Sequence, residues 1–162
     1  MSEITGKRIS ESKVTLSLMM SPQDANTLGN VHGGIIMKLV DEAGALAALR
    51  HAQAPVVTVA VDSMTFMQPI HIGELVVFNA ELTYVGRTSM EVRVEVLAEN
   101  PMTGIQRKSN TAYLVYVALD ADGKPKPVVP LIFETEEQKI RAGAAQERQD
   151  FRKHQRAQEN AS

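Results

Sequence analysis

Asp24-Ala25-Asn26-Thr27-Leu28-Gly29-Asn30-Val31-His32-Gly33-Gly34 runs without a break into Ile35-Ile36-Met37-Lys38-Leu39-Val40-Asp41-Glu42-Ala43-Gly44-Ala45-Leu46-Ala47-Ala48-Leu49. A polar, glycine-bearing loop opens an almost wholly apolar helix, predicted from about Gly33 to His51. The start of a helix leaves backbone N–H groups unpaired, and these can hold a developing negative charge. Two turns on, the helix carries a carboxylate, Asp41, of the kind that serves as base or nucleophile at a carbonyl. The middle of the helix is rich in Ala and Gly, which lets another backbone approach closely.

Upstream, Val14-Thr15-Leu16-Ser17-Leu18-Met19-Met20 reads as a strand that ends at Ser21-Pro22. Downstream, Pro55 stops the helical region and four β-rich segments follow: Val56 to Phe66, Leu75 to Val85, Ser89 to Leu97 and Ile105 to Leu119. Gly86-Arg87 and Asn100-Pro101-Met102-Thr103-Gly104 mark turns between them. Val92, Val94 and Val96 alternate with Arg93, Glu95 and Leu97, as in a strand with one wet face. Long neighbouring strands joined by tight turns pair antiparallel. The order is strand, helix, then four long strands: an α+β domain in which the sheet wraps one helix.

Three prolines, Pro125, Pro127 and Pro130, end the sheet region. The tail opens with Thr135-Glu136-Glu137-Gln138, a helix-start pattern. Its charges balance, and Ile140, Ala144 and Phe151 are its only apolar stripe, so a solvated or partly disordered helix is expected. The expected organisation is an arm over 1–11, a core domain over 12–132 and a charged tail over 133–162.

Composition removes several function classes. The chain has 162 residues, 44% hydrophobic and 22% charged, with 17 Lys and Arg against 19 Asp and Glu. That describes one ordinary globular domain and gives no support for nucleic-acid binding. Without cysteine, a thiolate metal site or cysteine nucleophile is excluded. No membrane span or apolar signal core occurs, and a cytoplasmic location is expected. His32, His51, His71 and His154 share no ligand spacing, so no metal is expected. A Gly-x-Ser-x-Gly elbow, a phosphate-binding loop and a dinucleotide fingerprint are all missing.

Taken residue by residue, alternatives stay open. Asp41 and Glu42 mark either a reactive group or the solvent-facing stripe of a buried helix. Gly33 and Gly34 form either an oxyanion site or a plain helix start. Asn26 and Asn30 suit turns as well as they suit orienting a water. His32 is a base or, more simply, a capping residue. Arg87, Thr88 and Ser89 in a turn, with Arg107 and Lys108 near the last strand, are solubilising groups or phosphate contacts.

The loop and helix closely resemble the hot-dog acyl-CoA thioesterases, specifically the broad-specificity acyl-CoA hydrolases. The resemblance rests on Pro22, Asp24-Ala25-Asn26, Gly29-Asn30-Val31-His32-Gly33-Gly34, Met37 and Asp41-Glu42-Ala43-Gly44. It continues through Val61-Asp62, Phe66, Pro69, Gly73, Gly86-Arg87-Thr88-Ser89-Met90, Val115-Tyr116-Val117-Ala118-Leu119-Asp120 and Gly123-Lys124-Pro125, covering roughly residues 12–132.

The resemblance implies a hot-dog fold, one long helix wrapped by a five- or six-stranded antiparallel sheet, and hydrolysis of fatty acyl-CoA to carboxylic acid and coenzyme A. It implies Asn26 and Asp41 as catalytic pair, His32-Gly33-Gly34 as the oxyanion-forming helix start, and Arg87, Thr88, Ser89, Arg107 and Lys108 as coenzyme A contacts. It also implies a homodimer as the minimal active unit, usually in a trimer of dimers, with no cofactor beyond the substrate's coenzyme A. Asp41 of one protomer would meet Asn26 and the glycines of its partner. The alternatives are a non-catalytic acyl-CoA-binding module, which would need an output domain, and a hydratase, which would need a histidine paired with an acid on or beside the helix, whose interior offers none. Asp62 has no role assigned beyond a structural hydrogen bond.

Overall fold

The computed structural model describes residues 5–62 and 64–162. A short strand β1 (Lys7–Arg8) and a 3-10 turn at Ile9–Glu11 lead into β2 (Val14–Met19). A second 3-10 turn at Pro22–Asp24 is closed by the Asp24 carboxylate, which accepts from Ser21 N–H at 2.9 Å. Helix α1 (Gly33–Ala52) follows, then β3 (Val56–Val61), β4 (Leu75–Val85), β5 (Ser89–Glu99), β6 (Gln106–Ala118), β7 (Leu131–Ile132) and α2 (Glu136–Ala161). Five strands form one antiparallel sheet in the order β2-β4-β5-β6-β3, while β1 and β7 make a separate parallel pair.

One face of the sheet holds the core. Val76, Phe78, Ala80 and Leu82 of β4, Val92, Val94 and Val96 of β5, and Ala112, Leu114 and Tyr116 of β6 point at α1. The helix answers with Ile36, Leu39, Val40, Ala43, Ala47 and Ala48, all buried. This is the period-2 pattern of strands meeting the 3.6-residue period of a helix. At its far end α1 is capped by Gln53 in the left-handed conformation and by Lys7 Nζ, which donates to the carbonyls of Arg50 and His51 at 2.8 and 3.2 Å.

Three features differ from the sequence expectations. β3 stops at Val61 rather than Phe66, because the chain leaves β6 after the Asp62 N–H bonds the Tyr113 carbonyl. The pairing of β1 with β7 was not foreseen, since two residues carry no periodicity. The tail is one continuous helix, and it packs on the outer face of the sheet rather than standing free in solvent. Its anchors are polar: the Glu91 carboxylate, with no exposed side-chain surface, accepts from Arg148 at 2.8 and 3.0 Å, Arg152 at 3.3 Å and Thr83 at 2.6 Å. Arg152 also pairs with Asp62 at 2.8 Å. Arg148 stacks on Tyr113, 3.8 Å from the ring centre. Burial works against the Arg148 charge, but the hydrogen bond and charge of Glu91, helped by Tyr113 and Asp62, outweigh it and raise its pKa.

Candidate active site

The helix start is assembled by its own loop. His32 is the N-cap of α1, and its Nδ1 accepts from Gly34 N–H at 2.9 Å. That bond uses up the Gly34 donor and leaves the imidazole proton on Nε2. The Ile35 N–H bonds the His32 carbonyl at 3.0 Å. Gly33 N–H has no such partner among the described residues, so it is the donor left for an incoming oxygen. The Phe66 ring lies over Gly33, within 3.6 Å of where a side chain would begin.

Asn26 stands beside this helix start. Its Oδ1 accepts from Leu28 N–H at 2.9 Å and Asn30 N–H at 3.1 Å, an arrangement that fixes the amide and leaves its NH2 unengaged among the described residues. Asn30 is held in turn by His71, whose Nδ1 lies 3.2 Å from its Oδ1. Asn26, Gly33, Ile36, Phe66 and Pro69 line one open cleft of about 280 Å³. Asn26 and Gly33 thus come together.

Asp41 lies elsewhere on the same helix. Eight residues at 1.5 Å each place it about 12 Å along the axis from Gly33. The half-buried carboxylate accepts at Oδ1 from Thr58 Oγ1, 2.8 Å away, and from Tyr116 Oη, 3.0 Å away. Tyr116 Oη is also 3.0 Å from the Asp41 main-chain oxygen. Burial first, then the charge and hydrogen bonding of Asp41, push the Tyr116 phenol well above its usual value, against a smaller opposing effect of Thr58. Oδ2 has no partner among the described residues.

One protomer therefore carries two separate groups of candidate residues: a donor cleft at the helix start and a held carboxylate two turns on. The sequence reading singled out Asn26, Gly33 and Asp41 as candidates and did not single out Thr58 or Tyr116, which hold Asp41. The signal available was a hydroxyl set between two valines in each strand, Val57-Thr58-Val59 and Val115-Tyr116-Val117.

The basic candidates do not converge within one chain. Arg87, Thr88 and Ser89 form the β4–β5 turn, braced by bonds from Val128 N–H to the Arg87 carbonyl and from Ala118 N–H to the Thr88 carbonyl. Lys108 is exposed opposite Leu97, about 26 Å away along β5 at 3.3 Å per residue. Arg107 is engaged, donating to Glu74 at 2.8 Å and to the Pro69 carbonyl at 2.7 Å, and so pins the loop that carries Phe66. Among the described residues no cluster of three or more His, Asp or Glu side chains is suited to a metal ion, and no helix is long and apolar enough to cross a membrane.

A family model described as the thioesterase superfamily matches residues 28–105. A Bacillus subtilis protein named as an uncharacterized acyl-CoA thioester hydrolase, YkhA, is 36% identical over 151 residues, 93% of this chain and 88% of that protein. The cytosolic acyl coenzyme A thioester hydrolase of Mus musculus is 40% identical over 133 residues, 77% of this chain but only 35% of the mouse protein, so the chain spans about a third of it. Among solved structures, an acyl-CoA hydrolase from Staphylococcus aureus in complex with butyryl coenzyme A and coenzyme A superposes with a TM-score of 0.90 at 34% identity, covering 97% of this chain and 96% of that one. A hexameric acyl-CoA thioesterase gives a TM-score of 0.89 at 36% identity, covering 94% of this chain and 97% of that one.

Proposed function

The chain belongs to the hot-dog thioesterase superfamily, and from that premise we propose that it is an acyl-CoA hydrolase whose active site is shared between two protomers. The reaction is fatty acyl-CoA plus water giving a carboxylic acid and coenzyme A. Asp41 takes a proton from water as the water oxygen bonds to the thioester carbon. Asn26 orients that water through its free NH2. Gly33 N–H, at the positive end of the helix, stabilises the oxyanion of the tetrahedral intermediate. When the C–S bond breaks, the coenzyme A thiolate takes the proton back from Asp41. Direct attack by Asp41 through a mixed anhydride is the rival chemistry. Water is the only co-reactant in either route.

One observation carries the two-chain arrangement: the donor cleft and the carboxylate lie about 12 Å apart along one helix, too far to act on one carbonyl. Pairing two α1 helices antiparallel would bring Asp41 of one protomer to Asn26 and Gly33 of its partner. The surface is suited to that pairing. β3 is an edge strand with Val57, Val59 and Val61 exposed at 44, 47 and 49%, and α1 exposes Met37, Leu46 and Leu49. A homodimer is then the minimal active unit, and the hexameric assembly of the similar thioesterase makes a trimer of dimers the natural extension.

A thiol-reactive dye with acyl-CoAs of graded chain length tests the reaction. Wild type releases free thiol, Asp41→Ala loses about 100-fold or more, and Asn26→Ala falls by a smaller factor. Mixing the two impaired variants through a denature–refold cycle, with each variant's own residual rate subtracted, tests the shared site. Random reassociation makes half the dimers mixed, each with one intact site of two, restoring about a quarter of wild-type activity. No recovery in correctly reassembled mixtures would place both residues in one chain's site. Thioester binding without thiol release would leave a binding module instead.

A further inference from the structure

We propose that Tyr116 is a positioning residue for this hydrolysis, acting with Thr58 to clamp Asp41 Oδ1 so that Oδ2 is the reacting oxygen. The inference rests on the proposed thioesterase reading and deepens it. Thr58 and Tyr116 are direct cross-strand partners in the β3–β6 ladder, and the register shift immediately after Thr58 leaves Val59 as the extra residue. That register puts two hydroxyls side by side on the face that meets α1, both within 3.0 Å of the same carboxylate oxygen.

The helix is shaped to admit the phenol. A Cβ at Gly44, one turn beyond Asp41, would collide with Tyr116 Oη and stand 3.2 Å from its ring carbons. Glycine in a helix interior is unfavourable, and here the space it leaves is filled by the oxygen that reaches Asp41. The ring of Tyr116 is fully buried in the core. A phenylalanine would fill that core position equally well, so the added oxygen is explained by its partner rather than by packing. Its raised pKa keeps it a proton donor throughout the working range.

Two hydroxyl donors on one oxygen fix the plane of the carboxylate and draw negative charge to Oδ1. Oδ2 is left without a competing donor and in a defined direction, which is what a base or nucleophile needs. No charged side chain hydrogen-bonds this carboxylate among the described residues; Glu42 and Lys38, its neighbours on α1, pair with each other across the solvent side at 4.0 Å.

Steady-state hydrolysis by Tyr116→Phe, alongside its thermal unfolding, decides the matter. The variant is expected to lose about ten-fold in kcat, with KM within about two-fold and unfolding temperature close to wild type, as for one hydrogen bond to a charged group. Gly44→Ala, which displaces the same oxygen, is expected to lower kcat similarly and to add less than about two-fold once Tyr116→Phe has removed that oxygen. Wild-type kcat in Tyr116→Phe overturns the inference, as does a loss of kcat that merely follows a loss of folded protein. Wild-type protein that releases no thiol overturns the proposed function itself, and the inference with it.

Discussion

Replacing Glu91 by Gln removes one charge from the buried cluster that joins α2 to the outer face of the sheet. The amide keeps nearly the same shape and can still bond Thr83, so the change isolates the ion pairing with Arg148 and Arg152. Breaking a buried pair by removing one partner typically costs about 3–5 kcal/mol. Here the stranded groups are guanidiniums with 27 and 13% of their side-chain surface in water, and Arg152 keeps Asp62 at 2.8 Å. Partial rehydration brings the expected loss to about 2–3 kcal/mol.

The reverse deletion is worse. Arg148→Ala with Arg152→Ala leaves a carboxylate of no side-chain exposure without a cation, at the full 3–5 kcal/mol or so. A fourfold variant, Glu91→Leu with Arg148→Met, Arg152→Met and Asp62→Asn, removes every charge of the cluster and is expected close to wild type, because no charge is left stranded. Urea unfolding at fixed protein concentration measures the series, the fixed concentration being needed because assembly contributes to stability. The refuting results are a Glu91→Gln loss below about 0.5 kcal/mol, or a larger loss for Glu91→Gln than for the double arginine variant.

Two further outcomes follow from particular residues. Burial lowers the His51 pKa below 6.5, partly opposed by its bond to the Val129 carbonyl, with Lys7 lowering it further and Glu11 opposing. The folded state then binds that proton less tightly than the unfolded chain. Its contribution to stability is complete above about pH 6.5 and is lost as pH falls through the lowered folded-state value. His51→Gln should therefore lose less unfolding temperature than wild type between about pH 7.5 and pH 5.5, and parallel curves would contradict this. Val57→Lys with Val61→Lys places two charges on the exposed edge of β3, which should yield smaller species in sedimentation, native circular dichroism and no thiol release. An oligomeric, active double variant would count against the shared site.

The main frame was legible because each of its elements carries a local signal of its own, an apolar run too long for a strand or an alternation. Apolar residues through Ile35–Leu49 mark the helix, alternation through Val92–Val96 marks a strand, and glycine and proline mark the turns. The helix and β4–β6 accordingly lie within about two residues of expectation. What stayed hidden depends on register between distant segments. Thr58 and Tyr116 look like ordinary strand residues until β3 and β6 align them, 58 residues apart in the chain. The packing of α2 was invisible for a different reason: its contacts with Glu91, Asp62 and Glu81 are ionic, and the apolar residues that could be counted, Ile140 and Phe151, are exposed while Ala145 is the buried one. From residue chemistry alone, Asp41 was equally readable as a wet stripe, and only the resemblance favoured chemistry.

The cluster around Glu91 also sets an order of events during synthesis. Glu91 precedes Arg148 by 57 residues and Arg152 by 61, and chains emerge from the ribosome N-terminus first. β2 to β6 can pair and enclose α1 while the arginines are still unmade, so residue 91 keeps its hydration until the final stretch of chain arrives. Laying α2 across the outer face then follows the closing of the sheet, and the nascent sheet waits with one wet carboxylate where that helix will dock.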